Sequence, residues 1–213
     1  MTRLFQRQLT KLEQRLQGEC ALVEDAVQKA VKAFEDRDAD LAAEVISGDE
    51  RIDNEEVDIE EECLQILALY QPVAQDLRFV VAALKINNDL ERVGDLAQNI
   101  AKRVDVLVSH PEIDVPFDFN AMAGSALNIL KRSLDAFGKF DAGAAAQVLS
   151  MDQTVDDHNR EAVDRIADAM RDNPDDQHAL LQCFAVARAL ERVADLATNI
   201  AEDIIYILEG VIV

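Results

Sequence analysis

A thirteen-residue stretch in the middle of this chain occurs again close to its end, and this repeat limits the fold more than any other feature. Residues 89–101 read Asp-Leu-Glu-Arg-Val-Gly-Asp-Leu-Ala-Gln-Asn-Ile-Ala, and residues 189–201 read Ala-Leu-Glu-Arg-Val-Ala-Asp-Leu-Ala-Thr-Asn-Ile-Ala. Leu90, Val93, Ala97 and Ile100 are spaced by three and four residues, as in a helix that buries one face. A helix that occurs twice predicts a duplicated helical unit.

The same spacing of apolar residues extends over most of the chain. It predicts helices over about residues 4–35, 39–69 and 72–108, and again over about 119–138, 142–171 and 176–209. Gln71-Pro72 and Asn173-Pro174 mark equivalent turns before the third helix of each half. Helices of ~30 residues are ~45 Å long and have to pack lengthwise. We predict an all-α fold of six long helices in two tandem three-helix bundles, residues 1–108 and 119–213, related by an internal repeat and joined by a linker with two prolines.

Each copy of the repeated stretch carries two carboxylates one helical turn apart. Glu91 and Asp95 form the first pair, and Glu191 and Asp195 form the second. Side chains at this spacing have Cβ atoms about 6 Å apart, and two like charges there destabilise a helix slightly. A bound cation would remove the repulsion.

The preceding helix of each half carries a matching pair of aspartates. In an antiparallel hairpin, residues at equal distances from the turn lie at one level. Asp53 and Glu91 are equidistant from residue 72, and the equivalent relation holds about the turn at residues 173–174. We therefore predict two sets of metal ligands, Asp49, Asp53, Glu91 and Asp95 in the first half and Asp152, Asp156, Glu191 and Asp195 in the second.

A site made only of carboxylate oxygens favours hard cations such as Mg²⁺, Mn²⁺, Ca²⁺ or iron, whereas zinc usually takes some nitrogen or sulfur ligands. None of the three histidines stands in the Glu-x-x-His arrangement of a ferritin-like di-iron centre. The alternative is that these carboxylates are solvated positions inherited by duplication, with Arg92 and Arg192 as their salt-bridge partners.

Composition narrows the class of protein further. The net charge is −21, from 42 acidic and 21 basic residues, which disfavours binding to nucleic acid or to anionic lipid because both need a basic face. Three scattered cysteines indicate buried thiols in a reducing compartment. With neither a signal peptide nor an apolar run long enough to span a bilayer, we expect a cytoplasmic protein that reaches a membrane at most through its partners.

Three stretches of the sequence resemble the PhoU family of phosphate-signalling regulators. The resemblance rests on Pro72-Val-Ala-Gln-Asp-Leu-Arg78, on Leu90-Glu-Arg-Val-Gly-Asp95 with the following Asn99-Ile-Ala, and on the second copy of that motif. It implies two similar three-helix bundles, each with a Glu/Asp-x-x-x-Asp signature associated with metal, including iron or zinc clusters in some members. Iron, manganese, magnesium and zinc therefore all remain open as the bound metal. Arg78 is either a salt-bridge donor or a partner-binding residue.

The resemblance also implies a function without catalysis. It leads us to expect a negative regulator of phosphate uptake and of the phosphate regulon, acting on the ATPase subunit of the phosphate ABC transporter and on its sensor histidine kinase. We also expect a homodimer. Two alternatives stay open: a metalloenzyme that activates water or dioxygen at the paired carboxylates, and a purely structural helical dimeriser.

Overall fold

The computed structural model describes residues 3–111 and 113–211, and it is helical almost throughout. Positions 1, 2, 112, 212 and 213, which belong to the predicted bundles and linker, lie outside the described residues. The first half consists of three long helices, α1 (Arg3–Asp36), α2 (Ala39–Tyr70) and α3 (Ala74–Val108). The described residues contain no strand, and the predicted all-α fold is confirmed.

The second half repeats this arrangement with one interruption. It contains α4 (Phe119–Lys139), α5 (Ala142–Leu149), α6 (Asp152–Asp172) and α7 (Gln177–Glu209), with a short 3₁₀ turn, Pro174–Asp176, before α7. The six predicted helical segments are all present, but the fifth is divided in two at Ser150 and Met151. The amides of both residues bond to carbonyls three residues back, which tightens the helix locally.

This interruption changes the position of one predicted ligand. Asp152 lies in the first turn of α6, where the positive end of the helix dipole favours its charge, whereas its counterpart Asp49 lies inside α2. A serine bond does not explain the break, because Ser47 Oγ donates to Glu44 O in the unbroken α2 as Ser150 Oγ does to Gln147 O.

The long helices lie against one another along a single apolar core that includes residues from both halves. α3 and α7 carry the repeated stretch and pack against each other, and each is also packed on the helix preceding it, α2 and α6. Aspartates cap the helices that follow α1 and α4: Asp38 accepts from the amide of Leu41, and Asp141 from that of Ala144. The cysteines Cys20, Cys63 and Cys183 are buried free thiols.

The two carboxylate-bearing helices of the first half are antiparallel in the predicted register. Asn87 on α3 donates from Nδ2 to the backbone oxygen of Glu56 on α2 at 3.0 Å, within one residue of the pairing expected for a turn at residue 72. Pro72 itself lies before α3, which begins at Ala74, and Gln71 ends α2 in the left-handed conformation with φ 46°.

Candidate metal sites

The second half brings three of its four predicted ligands together. Asp152 and Asp156 lie one turn apart on α6 and Asp195 lies on α7, and one carboxylate oxygen from each is within 4.8 Å of the others. Asp152 and Asp156 are partly buried and Asp195 is exposed. This spacing and this opening to solvent allow one small cation to be held between two helices. We name Asp152, Asp156, Glu191 and Asp195 the second cluster.

Glu191, the fourth predicted ligand, lies one turn from Asp195 and has one oxygen in a salt bridge. Arg188, three residues earlier on α7, donates from Nη1 to Glu191 Oε1 at 2.8 Å. The other oxygen, Oε2, is buried without a hydrogen-bond partner, and so is Oδ1 of Asp152. Buried carboxylate oxygens that lack donors gain most from a cation. The residues present therefore fit a metal ion.

Electrostatics shows the same crowding of charge in the second cluster. Burial raises the pKa of Asp152, and the charges of Asp156 and Asp195 raise it further. Burial also raises the pKa of Asp195, followed by Glu191 and Asp156, while Arg188 and Arg192 oppose the shift. Asp156, Glu191 and Asp195 thus each lie close enough to another member of the cluster to disfavour its ionisation.

The first half places its four predicted ligands near one another but less tightly. Burial raises the pKa of Asp49 to about 6, with Asp53 and Asp95 adding to the effect and Lys102 opposing it. Burial raises the pKa of Glu91 as well, and Asp95, Asp53 and Asp49 all contribute. Among the described residues, only the three aspartates of the second half reach the 4.8 Å spacing. We name Asp49, Asp53, Glu91 and Asp95 the first cluster.

A groove of about 530 Å³ runs between α3 and α7 and connects the two clusters. Equivalent residues of the two repeats line it, among them Asp95 and Asp195 and the amides of Asn99 and Asn199. Arg92 and Arg192, the salt-bridge partners in the alternative interpretation, form no salt bridge to the clusters within the described residues: Arg92 instead contacts Asp89 at 3.4 Å. One predicted ligand from each cluster thus faces the same groove.

Three side chains near the sites differ from the sequence-based expectation. Arg188 was missed, although its position three residues before Glu191 on a helix allows a salt bridge. Glu19 was also missed, although its position among the apolar residues of α1 indicates that it is buried. Arg78, for which the sequence leaves open a salt bridge or a partner contact, has no salt bridge within the described residues, and partner binding by Arg78 stays a prediction. It packs beside Gly210, and its Nε is buried without a partner.

A duplicated all-α bundle with a Glu-x-x-x-Asp pair on the last helix of each half, α3 and α7, defines the class of protein. The model of the PhoU domain matches residues 16–104 and 119–204, so the chain belongs to the PhoU family. It is 35% identical over 207 residues to the phosphate-specific transport system accessory protein PhoU homolog of Pseudomonas putida, an alignment that covers 97% of this chain and 81% of that protein.

Two solved structures have the same fold. The crystal structure of PhoU from Pseudomonas aeruginosa matches with a TM-score of 0.93 and 35% identity, covering 97% of this chain and all of that one. The phosphate transport system regulatory protein PhoU from Streptococcus pneumoniae matches with a TM-score of 0.89 and 31% identity, covering 98% and 99%. No helix among the described residues is long and apolar enough to cross a membrane.

Proposed function

We propose that the protein is a cytoplasmic negative regulator of phosphate uptake and of phosphate-regulon signalling. It acts as a metal-binding adaptor between the ATPase subunit of a phosphate ABC transporter and the sensor histidine kinase of the regulon. The observation that carries this proposal is the similarity to PhoU accessory proteins over nearly the whole chain, together with a carboxylate cluster in each half. The protein is an adaptor, not a catalyst.

Metal has a structural role in this proposal. Each cluster combines ligands from two neighbouring helices, α2 with α3 in the first half and α6 with α7 in the second. A divalent or trivalent cation at a cluster neutralises the repelling carboxylates and joins the two helices. Because Asp95 and Asp195 face one groove, metal occupancy also sets the charge between the two halves. Iron, manganese and magnesium match the all-oxygen ligand sets better than zinc does.

An apolar surface at one end of the first bundle supports partner binding. Leu69 at the end of α2 is 73% exposed, and Val73 in the following turn is 71% exposed. Phe5 of α1 packs against Tyr70 with ring centroids 5.2 Å apart, which brings the exposed Leu4 to the same end. Exposed apolar side chains gathered in one place are typical of a surface that another protein covers. We place the ATPase-subunit contact here.

The test is reconstitution of the complex from purified proteins. We expect the protein to bind both the transporter's ATPase subunit and the histidine kinase in a phosphate-dependent manner. Leu69→Glu with Val73→Glu should weaken ATPase binding at least about tenfold because each buries a charge in the contact. Leu181→Glu is the matched control for Leu69→Glu alone, since it adds the same single charge at a leucine that is 52% exposed on α7. Failure of either partner to bind, with or without phosphate and metal, would refute the adaptor role.

A further inference from the structure

Glu19 is a carboxylate inside the core of the first bundle. It lies in the middle of α1, its relative exposure is 0%, and neither of its oxygens has a hydrogen-bond partner. Leu16 and Val23 precede and follow it on the same buried face. A carboxylate in this setting is expected to be paired or to coordinate a cation, because burying it alone is strongly unfavourable.

The nearest basic side chain does not supply that partner. Arg15, one turn earlier, donates its hydrogen bonds to Glu55, Asp58 and Glu62 of α2. The groups that act on Glu19 are otherwise acidic: burial raises its pKa to about 9, and Glu55, Glu56 and Glu91 add to this effect. Glu19 therefore faces the carboxylates of α2 and α3 next to the first cluster.

A second buried oxygen at this level also lacks a partner. Asn87 is 1% exposed, and its Nδ2 donates to the backbone oxygen and, at 3.4 Å, to Oε1 of Glu56. Since a backbone oxygen can only accept, the amide nitrogen must face Glu56 and the amide oxygen must point away from it. That Oδ1 atom is buried and has no donor.

The second half has no such group of oxygens. Aspartates that cap α2 and α5 set the equivalence of the two halves, and by that register Met122 occupies the position of Glu19. Met122 is fully buried, as an apolar residue should be. Ala187 stands where the first half has Asn87, and Asn159 stands where it has Glu56. Asn159 Oδ1 is itself buried without a donor, but the first helix of the second half, α4, buries no carboxylate, so a buried carboxylate at this position belongs to the first half alone.

We propose that Glu19 and Asn87 Oδ1, together with Glu56, form an additional hard-cation position beside the first cluster, with ligands from all three helices of the first bundle. This inference rests on metal binding at the first cluster as set out under the proposed function. Carboxylate and amide oxygens suit Mn²⁺, Mg²⁺ or iron. Glu91 lies one turn beyond Asn87 on α3 and one turn before Asp95, so the additional position adjoins the first cluster. The first half consequently binds more metal than the second.

Equilibrium dialysis of the full chain against Mn²⁺, with the bound ion followed by electron paramagnetic resonance, tests the proposal. We expect Glu19→Met, which places the second half's own side chain at this position, to lower the Mn²⁺ content by about one ion per chain. Glu19→Gln should do the same, and Asn87→Ala should weaken binding of that ion. Glu62→Gln is the matched control, because Glu62 is buried on α2 but is held by Lys11 and Arg15.

The possible outcomes distinguish a failure of this inference from a failure of the proposed metal role. Unchanged Mn²⁺ content in both Glu19 variants, with wild-type content intact, overturns this inference and leaves the two clusters standing. Wild-type protein that binds no Mn²⁺ overturns both this inference and the proposed metal role. Circular dichroism of each variant without metal checks folding, and Glu19→Met is expected to melt no lower than wild type because it removes a buried carboxyl group.

Discussion

Gly94 on α3 and Ile52 on α2 are in such close contact that a Cβ atom at Gly94 would lie 3.1 Å from Ile52 Cδ1. The same added atom would be 3.7 Å from Oδ1 of Asp49, so this contact lies directly beside the first cluster. In the second half the equivalent pair is Ala194 and Val155, both fully buried. Compared with the first half, the second half has one more methyl group on α7, at Ala194, and one fewer on α6, at Val155. The total side-chain volume at this contact is therefore the same in the two halves.

We predict that Gly94→Ala and Ile52→Val compensate each other. Gly94→Ala gains helix propensity but crowds a buried isoleucine, for a net loss of about 1 kcal/mol in the free energy of unfolding. Ile52→Val alone leaves a small cavity and costs about 1 kcal/mol. The double variant reproduces the Ala–Val pair of the second half and should be within about 0.5 kcal/mol of wild type. Urea unfolding measures all three, and additive losses in the double variant would contradict the prediction.

Helical periodicity in the sequence was sufficient to predict the all-α fold and its helical segments. The prediction for the first helix, about residues 4–35, differs from the observed Arg3–Asp36 by one residue at each end. The break at Ser150 could not be predicted, because Ser47 occupies an equivalent sequence position in an unbroken helix. The equivalent serines therefore do not distinguish the unbroken helix from the interrupted one. The two segments differ in their packing, because α2 packs against α3 whereas α5 and α6 pack against α7.

Part of each candidate site could also be predicted from the helical pattern of the sequence. Distances from the turns predicted the grouping of Asp152 and Asp156 with Asp195, because two antiparallel helices leave no freedom of register. The sequence did not predict the orientation of the arginine side chains. Arg92 contacts Asp89, and Arg188 contacts Glu191. Glu19 did leave a signal, since it stands at helical spacing between Leu12, Leu16 and Val23 on the buried stripe. A carboxylate on that stripe marks a position that needs a partner.

Removal of one aspartate from a cluster should affect metal binding in its own half alone. We predict that Asp95→Ala lowers metal content in the first half, and that Asp195→Ala does so in the second, because the ligand sets are separate. Without metal, each variant should be at least as stable as wild type, since a repelling charge is lost. Metal analysis and melting curves with and without chelator measure both effects. Asp105→Ala is the control, an exposed aspartate on the same helix as Asp95.

A further outcome of this experiment decides between the proposed function and its structural alternative. Metal binding stabilises the folded state by a free energy that grows with the logarithm of the ratio of free metal to dissociation constant, so added Mn²⁺ should raise the melting temperature of wild type. The gain should shrink at acid pH as the ligands become protonated. Equal melting temperatures with and without Mn²⁺, iron and Mg²⁺ would leave the carboxylates as solvated positions of a helical scaffold.

The contact between the two halves contains a partly buried ion pair that can be tested separately. Lys85 Nζ on α3 lies 2.9 Å from Oδ1 of Asp203 on α7 and 5.7 Å from the ring centre of Tyr206. Asp203 is 8% exposed, so Lys85→Ala leaves a carboxylate without its partner and should cost about 1–2 kcal/mol after allowance for the solvent around Lys85. Lys85→Ala with Asp203→Asn should recover about half of that loss. Urea unfolding of the single and double variants gives the coupling, and a double variant no more stable than Lys85→Ala would contradict it.

The buried Glu19 should make the metal-free protein lose stability as the pH rises. Burial raises the pKa of Glu19 from 4.5 to about 9, so between these values the folded state keeps a proton that the unfolded state releases. The free energy of unfolding then falls with increasing pH, by at most about 1.4 kcal/mol per pH unit for one group. Asp49, with its pKa raised to about 6, adds to the slope only below that pH.

Glu19→Gln cannot ionise and keeps every other charge, so its profile between about pH 6.5 and 8.5 should be flatter than that of wild type by about 2 kcal/mol in total. Urea unfolding in chelator at three pH values measures both profiles, and parallel curves would show that Glu19 does not hold a proton in the folded state.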